Sequence, residues 1–156
     1  MRVLVFSDSH GKLALAHDII KKEACDMILH MGDCFEDMLE LKSCYDIPVV
    51  GVVGNVDYVT DGPEQVSMVI GGYKVFLCHG HHYRVNQNLT HLIAQGKTMD
   101  ADIILYGHTH TPYFEENSPV IMNPGSISRP RIVTHPSYGV LELEKDSIKG
   151  KIIYVK

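Results

Sequence analysis

The chain has no C-x-x-C pair, no block of basic residues and no apolar run long enough to span a membrane. Each absence removes a class of function. The four cysteines, Cys25, Cys34, Cys44 and Cys78, are scattered, and a chain that buries roughly 68–70% of its unfolded surface needs no covalent staples, so reduced thiols in a reducing compartment are expected. Without a basic block, and at a net charge of −5, a long phosphate-neutralising footprint on nucleic acid is not expected; a nucleotide-sized ligand still is allowed. The apolar runs are strand-sized and the N-terminus enters a strand at once, with no leader-like segment, which predicts a cytoplasmic protein with no membrane partner. Hydrophobic residues at 45% against 21% charged exclude a disordered or low-complexity chain. Internal repeats and linkers are also missing, so residues 1–156 are expected to form a single domain.

What is present alternates. Arg2–Phe6 reads as a buried strand, then Leu13, Ala16, Ile19 and Ile20 recur at helical spacing. Met27–Met31 is a second strand, followed by a helix carrying Met38, Leu39 and Leu41, and Pro48–Val53 is a third strand. Strand and helix in alternation predict a parallel sheet. Next, Gln65–Ile70 and Tyr73–Cys78 flank Gly71-Gly72, a hairpin signature because glycine supplies positive φ for a tight turn. Asn86–Met99 reads as a helix, Asp102–Tyr106 as a strand, Tyr113–Met122 as two short strands bent at Asn117-Ser-Pro, and Tyr138–Leu143 with Ile148–Val155 as a closing hairpin with one solvated face. Parallel units first and antiparallel hairpins later predict an α/β domain with two sheets.

Ten histidines are many for this length, and they cluster with acids where apolar strands stop. Asp8 and His10 follow the first strand, Asp33 the second, Asn55 the third, His79 the hairpin strand, and His108 and His110 the next. In open α/β sheets the crevice beyond the carboxyl ends of the strands is where ligands bind, so separate segments would deliver these side chains to one place. Asp8 with His10, and His108 with His110, stand two apart, and in an extended segment such residues point to one side. Oxygen donors mixed with imidazoles suit Mn²⁺, Fe²⁺, Zn²⁺ or Ni²⁺ better than Ca²⁺ or a thiolate site. Seven candidates exceed what one tetrahedral ion needs, and two ions sharing a carboxylate account for the surplus.

Asp8-x-His10, Gly32-Asp33, Gly54-Asn55, His79-Gly-His81 and Gly107-His-Thr-His110, in that order, resemble the calcineurin-like metallophosphoesterases. With Asn123-Pro-Gly-Ser126, the chain is similar to the small YfcE-type phosphodiesterases. The resemblance implies an α/β fold, a four-layer α/β/β/α sandwich of two mixed sheets (the metallo-dependent phosphatase fold), with two divalent ions per chain. Mn²⁺ is the first expectation, with Ni²⁺, Fe²⁺, Zn²⁺ or Co²⁺ as alternatives. Asp8, His10 and His110 would hold one ion, Asn55, His79 and His108 the other, and Asp33 would bridge. A hydroxide between the ions would attack the phosphorus of a small phosphodiester, with phosphomonoesters turned over more weakly. Asn55 and Arg84 are the candidate substrate contacts, and a homo-oligomer is allowed.

One departure bears on mechanism. Larger relatives carry Gly-Asn-His-Asp/Glu, whose histidine contacts the phosphate, whereas this chain has Gly54-Asn-Val-Asp57. The general acid is then open, and His81 or His82, both on the loop of His79, are the candidate proton donors. Failing both, water must protonate the leaving group, which favours aryl esters. Asp57 either orients a ligand imidazole or caps a turn. His17, His30, His91 and His135 are read as structural or surface residues, Arg129 and Arg131 as a solvated loop, Asn123-Pro-Gly-Ser126 as a turn shaping the pocket floor, and Cys34 and Cys78, which adjoin candidate ligands, as inert thiols. Two rivals come from the same fold: a protein-binding scaffold like the retromer subunit, and a nuclease. The complete set of seven ligand positions argues against the first, and the short acidic chain against the second.

Overall fold

The computed structural model describes residues 1–58 and 61–156. The sequence also predicts a specificity-shaping loop over residues 58–64, and that loop lies partly outside the described residues. Two five-stranded mixed sheets form the centre. The first comprises β1 (Arg2–Phe6), β2 (Met27–His30), β3 (Val49–Gly51), β9 (Ser137–Glu144) and β10 (Ser147–Tyr154), in the order β10-β9-β1-β2-β3. The second comprises β4 (Gln65–Ile70), β5 (Tyr73–Cys78), β6 (Ile103–Leu105), β7 (Tyr113–Glu115) and β8 (Val120–Asn123), in the order β4-β5-β6-β8-β7.

Alternation within each strand builds the layers, because successive side chains leave a strand on opposite faces. Val3, Val5, Leu29 and Met31 meet Val75, Leu77, Ile103, Leu105 and Met122 between the sheets. Leu4, Phe6 and Ile28 face the other way, onto Ala16, Ile19 and Ile20 of α1 (Ala14–Lys22) and Met38 and Leu41 of α2 (Phe35–Cys44). Phe76, Ile104 and Tyr106 cover Leu92 of α3 (Thr90–Thr98) on the far side of the second sheet. Helix, sheet, sheet and helix thus stack in four layers. Leu39, although in α2, is turned outward and half exposed, one residue off the Met38–Leu41 stripe.

Both sheets are mixed, as expected: β5, β6 and β8 run parallel beside the antiparallel pairs β4–β5 and β7–β8, and the closing hairpin joins the first sheet, β9 pairing antiparallel with β1. That seat covers most of β9, while β10, at the sheet edge, carries the alternating exposure. The helix read over Asn86–Met99 begins only at Thr90. Before it the chain turns, with Gln87 N–H bonded to the Arg84 carbonyl (2.9 Å) and Asn88 Oδ1 accepting from Thr90 N–H (3.0 Å), an Asx turn that competes with helix. Gly71 and Gly72 form the expected turn, both at positive φ. All four cysteines are unpaired. Among the described residues no helix is long and apolar enough to cross a membrane.

Candidate metal centre

The C-terminal ends of β1, β2, β3, β5 and β6 lie side by side, and the residues following them converge. Asp8 N–H bonds the Gly32 carbonyl (3.0 Å), His10 N–H the Asp33 carbonyl (3.2 Å), and Gly107 N–H the His79 carbonyl (3.0 Å), lacing four loops into one floor. The two-apart pairs do not converge through extended backbone. Asp8, His10, Asp33, His108 and His110 all have φ between 48° and 68°, a left-handed conformation that costs an ordinary L-residue roughly 1–2 kcal/mol. Such strain persists where surrounding contacts over-determine it, and it gathers at functional sites.

The donor atoms form two groups that meet at Asp33. On one side Asp8 Oδ1 lies 3.2 Å from His110 Nε2, which is 3.3 Å from His10 Nε2, and His10 Nε2 is 3.7 Å from Asp33 Oδ2. Asp8, His10, Asp33 and His110 each present a donor within 4.8 Å of the others. On the other side Asp33 Oδ1 lies 3.2 Å from His79 Nε2, itself 3.1 Å from Asn55 Oδ1 and 3.3 Å from His108 Nδ1; Asn55 Oδ1 and His108 Nδ1 are 2.8 Å apart. Donors each about 2.1 Å from a shared ion stand about 3.0 Å apart in an octahedron and about 3.4 Å in a tetrahedron. The observed spacings, from 2.8 to 3.7 Å, bracket both values.

Tautomers point the same way. His79 Nδ1 donates to the Met31 carbonyl (2.7 Å) and His110 Nδ1 to the Arg129 carbonyl (2.7 Å), since a carbonyl only accepts. Each ring therefore turns an Nε2 lone pair toward a carboxylate, an arrangement that calls for a cation. Asp8 Oδ1 is buried and meets no well-aligned hydrogen-bond donor, its polar contact being His110 Nε2 at 3.2 Å, an acceptor of the kind a metal satisfies. In the protein alone, protons substitute. Burial by itself would lower the His79 and His110 imidazoles, but Asp33 beside the first and Asp8 beside the second bring both above their ordinary range. Burial would raise Asp33, yet the His79 hydrogen bond and charge carry it down to about 2. His10 and His108 are lowered, chiefly by burial.

All seven expected residues are brought together, but the other candidates separate. His81 lies against the group, its ring 5.4 Å from that of His79 and 6.1 Å from that of His108; burial, then the neighbouring imidazoles, push it down to about 4. His82 is 57% exposed, 3.6 Å from Glu64 Oε2, and with Arg84 it lines a separate surface groove beside His91. Neither His82 nor Arg84 faces the donor group, because the 3-10 turn His81–Tyr83 between left-handed Gly80 and Arg84 swings them outward. Arg129 and Arg131 do line the cavity of about 320 Å³ over the site, with His10, Asn55, Val56 and His108. The same strand-end rule that found the seven, applied after β8, would have found them, since β8 runs parallel beside β6.

Several neighbours hold the loops. Asn123 Nδ2 donates to the Gly107 carbonyl (2.8 Å) and Thr109 Oγ1 (3.0 Å), fixing the His108–His110 turn. Ser126 and Ser128 hydroxyls both donate to the Asp8 carbonyl (2.8 and 3.1 Å), so the Asn-Pro-Gly-Ser turn positions ligand backbone. His30, fully buried and lowered to about 4 by desolvation, accepts from Gly32 N–H and so donates from Nε2 to Ser9 (2.8 Å). Asp57 touches no imidazole. It caps α2, Oδ1 accepting from Cys34 and Phe35 N–H (3.0 and 2.9 Å) and Oδ2 from Gly54 N–H (2.7 Å). Asp57→Ala should cost about 2 kcal/mol, lowering Tm by roughly 4–8 °C in a thermal melt; an unchanged Tm would show the cap to be idle. Cys34 and Cys78 thiols are pushed up to about 11 and about 12, mainly by burial, against nucleophilic use.

Sequence comparison places this geometry in a family. The calcineurin-like phosphoesterase superfamily domain matches residues 1–146. The chain is 33% identical over 150 residues to the probable metallophosphoesterase YsnB of Bacillus subtilis, covering 94% of this chain and 87% of that protein. It is 33% identical over 175 residues to the phosphodiesterase YfcE of Escherichia coli K12, covering 91% and 88%. A solved structure of a conserved, uncharacterized predicted phosphoesterase from Streptococcus pneumoniae TIGR4 superposes with a TM-score of 0.81 at 28% identity, over 98% of this chain and 88% of that one. The chain belongs to the calcineurin-like phosphoesterase superfamily.

Proposed function

We propose that the protein is a phosphodiesterase that hydrolyses small phosphodiesters with two divalent cations bound, Mn²⁺ the first choice. One observation carries the reading: the two carboxylate oxygens of Asp33 face two different sets of imidazoles. Asp8, His10 and His110 would hold one cation, Asn55, His79 and His108 the other, and Asp33, between the two sets, would serve both. When bound, such a pair supplies an activated water and the positive charge that phosphoryl transfer needs.

The chain's own residues do the rest. Arg129 and Arg131 at the cavity wall neutralise the non-bridging phosphate oxygens, Arg better than Lys because its fork is bidentate. Asn55, exposed at the mouth, contacts the substrate. The histidines lining the cavity are His10, His108 and His110, all committed as ligands, and Val56 adds no donor of its own side chain. The neutral His81 beside them is a weak acid. Leaving groups that depart without a proton, aryl oxides first, are therefore the preferred ones.

The test is hydrolysis of bis(p-nitrophenyl) phosphate by purified protein. Turnover should require added Mn²⁺, fall to background with excess EDTA and return when Mn²⁺ is restored, with p-nitrophenyl phosphate slower and single-stranded DNA uncut. Turnover indifferent to EDTA would sink the metal-dependent proposal, and folded protein that takes up no metal and turns nothing over would return the scaffold reading to first place.

A further inference from the structure

The loop carrying His108 and His110 has a second face. His108 and His110 line the cavity over the donor group, while Thr109 and Thr111, between and after them, line another cavity of about 440 Å³. Arg131 belongs to both walls. Asn86 links them as well, lining the second cavity while its side-chain amide stands 2.8 Å from His108 Nε2. The two hollows are thus the two sides of one ligand segment.

Their linings differ in kind. The first is polar, built of imidazoles, carboxylate and guanidinium. The second is walled by Val85, Leu89, Tyr106 and Tyr113. Tyr106 and Val85 are nearly fully buried and belong to the core against α3, so that wall is preformed. Tyr113 stands at the rim, 38% exposed. A hollow of this volume, mostly apolar with a few polar groups, has the character of a small-molecule site.

Resting on the phosphodiesterase reading, we infer that this second cavity takes the organic group of the substrate, and that the group is a planar aromatic ring, the class to which aryl esters and nucleobases belong. The phosphate sits over the donor group with Arg131 at the boundary, and the ring lies between Tyr113 and the Val85–Leu89 wall. Offset or edge-to-face contact with the two tyrosines favours an aromatic over an aliphatic group of equal size. The inference explains how a site with no free general acid gains selectivity: the ring is held where an aryl ester places it.

Phosphonates test this without turnover, because their P–C bond does not hydrolyse. Calorimetric titration of the Mn²⁺-supplemented protein should show phenylphosphonate binding roughly tenfold tighter than methylphosphonate, about what burying half of an aromatic ring is worth. In Tyr113→Ala and in Leu89→Ser the preference should fall below about threefold. Two variants are used so that one unstable protein does not decide the matter. Equal affinity for the two phosphonates in the parent, or the full preference retained in both variants, overturns the aromatic subsite and leaves the phosphodiesterase reading standing. If neither phosphonate binds a protein that holds Mn²⁺, both readings are overturned.

Discussion

Asp33→Asn should lower kcat/KM for bis(p-nitrophenyl) phosphate by more than about 100-fold and reduce bound Mn²⁺ per chain. Loss of a group that merely orients a ligand typically costs 10–100-fold in metal affinity or activity, and Asp33 faces both sets of imidazoles directly, at 3.2 and 3.7 Å. An amide keeps the shape but removes the charge and offers one oxygen where two are needed. The NH₂ end would point its donors at His79 or His10, where a lone pair is required. A stability effect accompanies the loss. Asp33 is held down at about 2, below its unfolded value, so the unfolded chain binds the proton first as pH falls. Its contribution is therefore complete above about pH 4 and disappears as pH drops through about 2, and at neutral pH it amounts to roughly 2 kcal/mol. Melting of metal-free parent and variant at pH 7 measures that term separately from catalysis. Turnover within tenfold of the parent would remove Asp33 from its shared position.

The reason this candidate centre was legible in sequence is that its residues hang from strand ends. Apolar runs mark the strands, and where each stops an Asp, Asn or His stands out, three times just after a glycine (Gly32-Asp33, Gly54-Asn55, Gly107-His108). Each such motif is weak evidence, because Asp and Asn at a junction more often cap a turn, as Asp57 does. The order of five of them is what excludes coincidence. What could not be read was the backbone between them. Alternation suggested that Asp8 and His10 converge through an extended segment, whereas both are left-handed, a conformation no periodicity announces. The outward swing of His82 and Arg84 depends likewise on two left-handed residues, Gly80 and Arg84, bracketing a 3-10 turn. Arg129 and Arg131 looked like a solvated loop because they flank Pro130, yet they follow a parallel strand as much as His108 does.

The fold divided in the same way. Local signals were reliable where the partners are adjacent in sequence: the hairpin at Gly71-Gly72 has the expected register, Ile70 opposite Tyr73. Alternation tells which faces of a strand are buried but not which strand lies beside it. The closing hairpin therefore read correctly as a hairpin, while its place against β1 was not legible. That pairing has a functional consequence. The Ser126 and Ser128 hydroxyls bind the Asp8 carbonyl, and Ser137 N–H at the start of β9 bonds the Ser126 carbonyl at 3.0 Å, so the last hairpin helps to hold the segment that carries Asp8.

Gly54→Ala should give a folded protein with phosphodiester turnover reduced by more than about 100-fold. The constraint at this position is space. A Cβ on Gly54 would lie 2.0 Å from Asp33 Oδ1 and 2.4 Å from the Asp33 backbone nitrogen. A flexible side-chain tip is in general pushed aside at small cost, but here the obstructing oxygen is the one 3.2 Å from His79 Nε2 and the nitrogen is main chain. Asp57 Oδ2 meanwhile grips Gly54 N–H at 2.7 Å, so neither loop yields freely. Relief comes from moving Asp33 off the imidazoles, and a misplacement near 1 Å is enough to cost on the order of 100-fold. Overpacking of this kind also destabilises by about 1–3 kcal/mol, a Tm fall of roughly 2–12 °C. Gly72→Ala is the control, because its Cβ meets nothing within 4 Å and its φ of 93° imposes backbone strain alone, in a hairpin turn outside the donor group. That variant should lose stability and keep turnover. If Gly54→Ala instead retains parental kcat/KM with a lowered Tm like that of Gly72→Ala, the Asp33 carboxylate is free to move without loss of activity, and the tight joining of its two sets of imidazoles is not what catalysis depends on.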